Sequence, residues 1–309
     1  MAAGASTAGR HLPGLRSWQL FAICVGIWGT TWHAITYQLD GTPPELGVTL
    51  RFGLAGAVVL AWCAWRGTSL QFGLRQHALF ALQGVFLYSL SYVCVYHAEQ
   101  HVPSGLVAVG YSASPLINGL AARALWGVPV TRRFVAGGLC GVAGVALIFA
   151  PEFGRASVGN AVALGALFTV GSVLLSSIGG LTASRNRAQG LPLWPALGFG
   201  MLYSGVSSAL VLGLTVAAGG TALALPTAAS WWAALLYLSL AGSVLAFACW
   251  LALQDRVGPG PSSAVGVAAP VLAIIVSVAL EGYRPGWLTL AGVAFAVLGN
   301  VWMLVPRRP

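Results

Sequence analysis

Between residues 18 and 305 the chain is a succession of apolar runs of one length, and this constrains the fold more than any motif. A helix needs roughly 20 apolar residues to cross the hydrocarbon core of a bilayer. About ten runs qualify: 18–38, 46–65, 77–96, 104–125, 133–150, 159–182, 193–217, 230–250, 261–280 and 286–305. The loops between them are too short for a folded domain outside the membrane. Only 7% of the residues are charged and 58% are hydrophobic, far too little charge to cover a soluble surface. The expected fold is an all-α polytopic membrane protein with ten transmembrane helices.

A formal net charge of +9 would suit a nucleic-acid partner, but the placement of the charge argues against one. Arg10 and Arg16 precede the first run, Arg66 and Arg75 follow the second, and Arg132 and Arg133 follow the fourth. Arg185 and Arg187 follow the sixth, Arg256 the eighth, and Arg307 and Arg308 the tenth. The alternate loops hold only Arg155 and Arg284, beside Asp40, Glu45, Glu99, Glu152 and Glu281. Cationic loops stay on the cytoplasmic side, so both termini are expected there, with residues 1–17 a cytoplasmic tail. The first run follows basic residues, as in a signal peptide, but it is long enough to span and reads as a retained helix. Cys24, Cys63, Cys94, Cys140 and Cys249 all lie inside apolar runs without paired spacing, as small core residues do.

Shifting the chain by 155 residues superimposes its two halves without a gap. Pro115 meets Pro270, Gly105 meets Gly260, and "ALWG" (124–127) meets "ALEG" (279–282). Gly144 meets Gly299, Pro151 meets Pro306, Cys94 meets Cys249 and Tyr92 meets Phe247. Five helices per half is an odd number, so the second copy enters the membrane upside down. The predicted domains are 18–151 and 157–306, two five-helix inverted-topology repeats. Such repeats are a recurrent transporter architecture, with the substrate site near the midplane between the halves.

The fourth run carries a helix-disturbing residue, Pro115, in its middle. Proline removes one backbone hydrogen bond and bends its helix, and Pro270 is expected to do the same in the other half. Freed carbonyls are tolerated at membrane depth only against protein or a water-filled cavity. Tyr111, Ser114, Pro115 and Asn118 are spaced i, i+3, i+4, i+7 and so share one face. A polar stripe centred on a kink is the pattern of a cavity wall; the alternative is Ser and Asn joining helices around a filled bend.

"IWGTTWHAI" (27–35), "LRFGLAG" (50–56), "SPL" (114–116), "GSVLAFACWLALQDRVGP" (242–259) and "APVLAIIVSVALEG" (269–282) together resemble the drug/metabolite transporter superfamily, EamA type. The resemblance covers essentially the whole chain and implies ten spans arranged as five plus five. Within that superfamily the polar, aromatic-rich third and fourth runs look most like the YddG-like amino-acid exporters of bacterial inner membranes. The chain departs from the family pattern after span four, where "GE" is replaced by Trp126 and Gly127, while the second half keeps Glu281.

Trp28, Thr31 and Trp32 share a face near the centre of span one, with His33 beside them. Belt tryptophans sit at span ends, as Trp18, Trp62, Trp65 and Trp287 do, so Trp28 and Trp32 line either the packed interior or the path. His33 either titrates or is hydrogen-bonded packing. Tyr88, Tyr92 and Tyr96 form an aromatic stripe that suits a medium-sized organic substrate or packs against other helices. Thr169, Ser172 and Ser176 bind a polar end or bond back to their own helix. Arg51 is the charge clearly inside a span; bound to carbonyls it is a structural lock, bound to substrate a carboxylate clamp. His97, Glu99 and His101 hold two histidines at i, i+4 without a third ligand nearby, so no metal is expected. Gly137, Gly141, Gly144, Gly292 and Gly299 permit close helix approach in spans five and ten, suiting a scaffold or a homodimer face.

These readings predict a bacterial inner-membrane secondary transporter that exports amino acids or related metabolites by alternating access. Its expected substrate-binding residues are Trp28, Trp32, His33, Tyr88, Tyr92, Tyr111, Ser114, Asn118, Ser172 and Ser176, with Pro115 and Pro270 as hinges. No phosphate-binding loop is present, so neither ATP nor a cofactor is expected. An intramembrane serine enzyme built on Ser112 or Ser114 with His33 lacks a supporting motif. No Asp or Glu falls clearly within a run, so facilitated efflux or exchange is expected in preference to a carboxylate proton relay.

Overall fold

A computed structural model describes residues 15–153, 159–219, 225–257, 262 and 264–304. Most of the 1–17 tail, the boundary near residue 157, Arg10, Arg155, Gly260, Pro306, Arg307 and Arg308 lie outside the described residues. Every regular element among the described residues is helical. In chain order these are α1 (Ser17–Thr36), α2 (Pro44–Trp65), α3 (Leu74–Glu99), α4 (Ser104–Trp126) and α5 (Arg132–Phe153). Then come α6 (Gly159–Ala188), α7 (Leu193–Ala217), α8, α9 (Val265–Leu280) and α10 (Trp287–Leu304). Helix α8 has three parts, α-helical at Ala229–Leu236, π-helical at Tyr237–Leu245 and α-helical again at Ala246–Val257.

Seven of these helices, α2 to α8, are long and apolar enough to cross a membrane, while α9 and α10 are shorter apolar helices. Helix α1 has the length, at 20 residues, but carries Thr30, Thr31, His33 and Thr36 in its second half. Leu164, Leu167, Val170, Leu174 and Ile178 of α6 are exposed, as are Val206, Leu210 and Leu214 of α7. Water would not tolerate apolar patches of that extent; lipid does. The interior instead buries Gln38, Arg51, Gln83, Ser89, Glu99, Asn186 and Ser208. The chain is a multi-pass membrane protein.

Association between lipid-solvated helices rests on close packing, and glycines supply it. At the α5–α10 crossing a Cβ on Gly144 would lie 2.5 Å from the Gly292 carbonyl oxygen, so a side chain cannot be accommodated without a shift. Gly84 of α3 meets the Gly200 carbonyl of α7, where a Cβ would lie at 2.1 Å. The principal contacts pair α5 with α10, α2 with α7 and α3 with α6, while α1 packs on α8 and α9, and α4 on α9 and α6.

The break in α4 follows from Pro115. Residues Ser104–Gly110 are α-helical, Tyr111–Ala113 form one 3-10 turn, and Ser114–Trp126 resume the α-helix. Pro115 has no N–H for the Tyr111 carbonyl, and its ring would crowd that carbonyl, so the chain tightens there. Helix α9 instead runs continuously through Pro270. Both helices end on a left-handed glycine, Gly127 at φ +68° and Gly282 at φ +66°, a conformation glycine adopts at little cost.

Candidate functional site: a central aromatic cavity

A cavity of about 190 Å³ lies among α1, α2, α3, α4, α8 and α9. Trp28, Trp32, Tyr92, Tyr111 and Phe247 supply aromatic walls, and Thr31, Ile35, Ala108, Gly266, Ala269 and Pro270 complete the apolar lining around Arg51. A second cavity of about 230 Å³ opens among α3, α6, α7 and α8 and shares Phe247 with the first. Its rim carries Gln83, Asn186, Arg187 and Gln254. Tyr88 lines this second cavity and meets Phe247 edge-on at 5.8 Å, so the two rings form part of the wall between the chambers.

The π-helical stretch of α8 shapes the central cavity. A π turn leaves a carbonyl without its usual i+4 partner. Here the Trp28 indole N–H donates to the Gly242 carbonyl at 3.1 Å, and the Ser243 hydroxyl donates to the Leu238 carbonyl at 3.0 Å. Ser243 Oγ in turn accepts the Arg51 Nε–H at 3.2 Å. The guanidinium carbon stands 4.7 Å from the Tyr92 ring centre and 5.0 Å from that of Phe52, within cation–π range. Arg51 is only 2% exposed, so it does not snorkel to a surface. Its hydrogen bond to Ser243 is side chain to side chain, which corrects the expectation of a lock onto helix-end carbonyls.

Four of the expected binding residues, Trp28, Trp32, Tyr92 and Tyr111, converge on the central cavity, and Trp32 and Tyr111 are in ring contact at 5.3 Å. The others lie elsewhere. Ser172 and Ser176 bond back to the Thr169 and Val173 carbonyls of their own helix. Ser114 and Asn118 belong to neither cavity's lining, and Ser114 Oγ and Asn118 Oδ1 are buried without hydrogen-bond partners. The polar stripe of α4 is thus divided after Tyr111, because the 3-10 turn rotates the following residues off the cavity face. Of the two prolines, Pro270 lines the cavity and Pro115 does not.

His33 is drawn into a cluster at the end of the bundle where α1 finishes. Its Nδ1 is 3.0 Å from Glu281 Oε1. The other Glu281 oxygen accepts the Ser104 backbone N–H at 3.2 Å, and the Ser104 hydroxyl also bonds this carboxylate. One side chain therefore ties α1, α4 and α9 together. Near it, Tyr96 donates to Gln38 Oε1 at 2.8 Å, and the Trp231 indole donates to the Gln38 carbonyl at 3.2 Å. Glu99 is buried at the end of α3 with neither oxygen hydrogen-bonded. The sequence suggested no carboxylate among the spans; the structure buries Glu99 and engages Glu281 where span meets loop. His97 pairs with Glu45 at 3.0 Å and stacks on Phe168, as does His101.

Phe247 and Arg51 were not among the expected binding residues. Phe247 was signalled by its alignment with Tyr92 across the 155-residue offset. Arg51 was visible as an intramembrane charge, but its hydrogen-bond partner Ser243 lies 192 residues away in sequence.

A multi-helix membrane bundle enclosing an aromatic cavity is the architecture of a small-molecule transporter. The EamA-like transporter family model matches the chain twice, over residues 16–150 and 163–305. The chain belongs to that family and is a membrane transporter of the drug/metabolite transporter superfamily. It is 30% identical to the Escherichia coli protein described as "Uncharacterized inner membrane transporter YedA", over 94% of this chain and 92% of that one. Identity to Protein PecM of Dickeya dadantii is 25%, over 91% of this chain and 89% of the other. Identity to Protein PagO of Salmonella typhimurium is 23%, over 94% and 93%. A solved crystal structure shares the fold, with TM-score 0.66 and 22% identity across 93% of this chain and 95% of that chain.

Proposed function

We propose that this protein is a secondary transporter of the bacterial inner membrane that exports neutral amino acids, aromatic ones foremost, or related metabolites by alternating access. The observation that carries the reading is the central cavity, whose walls come from both ends of the sequence: the aromatic Trp28, Trp32, Tyr92 and Tyr111 from one half, the aromatic Phe247 with Pro270 from the other. A path between two halves is what inverted repeats build. We take the protein as ten spans in two inverted repeats, 18–151 and 157–306, with both termini cytoplasmic.

Several features support that arrangement. Exchanging α1–α5 with α6–α10 maps the α5–α10, α2–α7 and α4–α9 contacts onto themselves, and exchanges α1–α8 with α6–α3 and α1–α9 with α6–α4. The π-helical stretch Val85–Leu90 in α3, advanced by 155 residues, falls on the end of the stretch Tyr237–Leu245 in α8. The second cavity follows the exchange in part: Ala183, Asn186 and Arg187, the mates of Trp28, Thr31 and Trp32, line it, and Phe247, the mate of Tyr92, lines both cavities. Two related chambers meeting at one aromatic wall suit a carrier that opens alternately to either side. The Glu281 cluster then serves as the outer latch.

A panel of aromatic, aliphatic and hydroxy amino acids, sugars and nucleotides in proteoliposomes tests this reading. Saturable flux of aromatic or other neutral amino acids is expected. Flux of sugars or nucleotides alone would overturn the substrate assignment.

A further inference from the structure

The central cavity has a charge that its other walls do not answer. Arg51 lies on its lining, nine-tenths and more buried, and its Nη1 has no hydrogen-bond partner. The Tyr96 hydroxyl donates to Gln38 and leaves its oxygen as an acceptor beside the guanidinium, but Nη1 remains without a partner. Glu99 is close enough for its charge to reach Arg51, yet both its oxygens are unbonded. Among the described residues no salt bridge involves Arg51. A desolvated guanidinium with an idle Nη1 is costly unless something completes it. Nε is held by Ser243 and the ring faces of Tyr92 and Phe52 fix the plane. The group is therefore oriented before any ligand arrives, and little ordering remains for binding to supply.

We propose that Arg51 anchors a carboxylate, and that the cavity selects medium-sized monocarboxylates with an aromatic or branched apolar body, whether or not they carry an α-amino group. This rests on the transporter reading above and narrows its substrate class. One cation with an unpartnered Nη1 matches a monoanion, and guanidinium planarity favours a carboxylate. Trp28, Trp32, Tyr111 and Phe247 supply the apolar complement. None of the cavity's lining residues is acidic, so a substrate ammonium meets no countercharge. Pro270 has no N–H to offer the Gly266 carbonyl, and both residues line the cavity, so this carbonyl is the neutral acceptor assigned to the substrate. A carbonyl accepts equally from an ammonium or a hydroxyl, so a 2-hydroxy acid fits where a 2-amino acid does.

Calorimetric titration of the purified full-length transporter in nanodiscs with three probes tests this directly. L-phenylalanine and phenyllactate are expected to bind within about threefold of each other and to compete, and phenethylamine, which lacks the carboxylate, about tenfold or more weaker. Arg51→Gln is expected to weaken both acids by about tenfold or more, with Arg51→Lys intermediate. Phenethylamine binding as tightly as phenylalanine, or phenyllactate failing to compete with it, would overturn the Arg51 assignment while leaving the transporter reading intact. If none of the three binds and a sugar or nucleotide does, the Arg51 assignment and the amino-acid reading both fall. Should Arg51→Gln not fold, the comparison of the three probes on the unaltered protein decides alone.

Discussion

Gly144 and Gly292 meet backbone to backbone where α5 crosses α10: a Cβ on either would lie 2.5 Å from the other's carbonyl oxygen. Gly137 and Gly299 repeat the contact further along, at 2.6 and 2.5 Å. A shift of 155 residues turns the first pair into the second, as a two-fold relation between halves requires. Gly144→Val should therefore destabilise the protein by roughly 1–3 kcal/mol through forced separation of the helices. Gly213→Ala, where a Cβ meets nothing within 4 Å, should be neutral or slightly stabilising. Thermal unfolding of the two variants in detergent checks the contrast; equal melting temperatures would mean that the crossing tolerates side chains.

The wall of the cavity gives a second expectation. Ala108 and Ala269 line it, whereas Asn118 does not. Ala108→Phe or Ala269→Phe should lower transport at least about tenfold by filling space, with membrane insertion unchanged. Asn118→Leu should leave transport within about twofold, since it removes a buried polar group whose oxygen has no partner. Transport by proteoliposomes matched for inserted protein separates the cases. Loss of transport in Asn118→Leu with Ala108→Phe active would move the path to the other side of α4.

The carboxylate bridge between α1, α4 and α9 predicts a conformational effect. Glu281→Ala removes its bonds to His33 and Ser104, so the state open at that end should become more populated. In a cysteine-free background, Ala108→Cys should then react several-fold faster with an impermeant maleimide applied from outside. An unchanged rate would mean that Glu281 braces the bundle without gating it.

Topology can be read independently. Cysteines at Asp40 should be accessible from the periplasm, and those at Ser69 and Gln189 only from the cytoplasm. Asp40, Ser69 and Gln189 are exposed positions. Labelling of Gln189→Cys from the periplasm would break the inverted repeat.

Much of this was legible in the sequence, for identifiable reasons. Span length fixes the number of apolar residues, so the run at 193–217 coincides with helix Leu193–Ala217. Pro115 announced the break in α4 because the missing N–H acts locally, and Tyr92 pointed to Phe247 through the repeat. The π-helical stretches "VFLYSL" and "YLSLAGSVL" were not legible: the first has neither Gly nor Pro and the second only Gly242, and a π turn depends on tertiary contacts such as Trp28 with the Gly242 carbonyl. The His33–Glu281 pair joins residues 248 apart in sequence. Arg51 stood out as a charge, but its role depends on Ser243, 192 residues away. Asn118 lies off the cavity lining because the face it shares with Tyr111 on an ideal helix is lost across the 3-10 turn.

The central claim is alternating access through the aromatic cavity, and counterflow tests it most directly. Proteoliposomes loaded with unlabelled phenylalanine are diluted into a trace of labelled phenylalanine at equal pH on both sides. A carrier exchanges one for the other, so the label should rise transiently above its equilibrium level and then decay. The overshoot should need no proton gradient and should vanish in Ala108→Phe. Monotonic equilibration without overshoot, insensitive to that substitution, would contradict the account and indicate a channel.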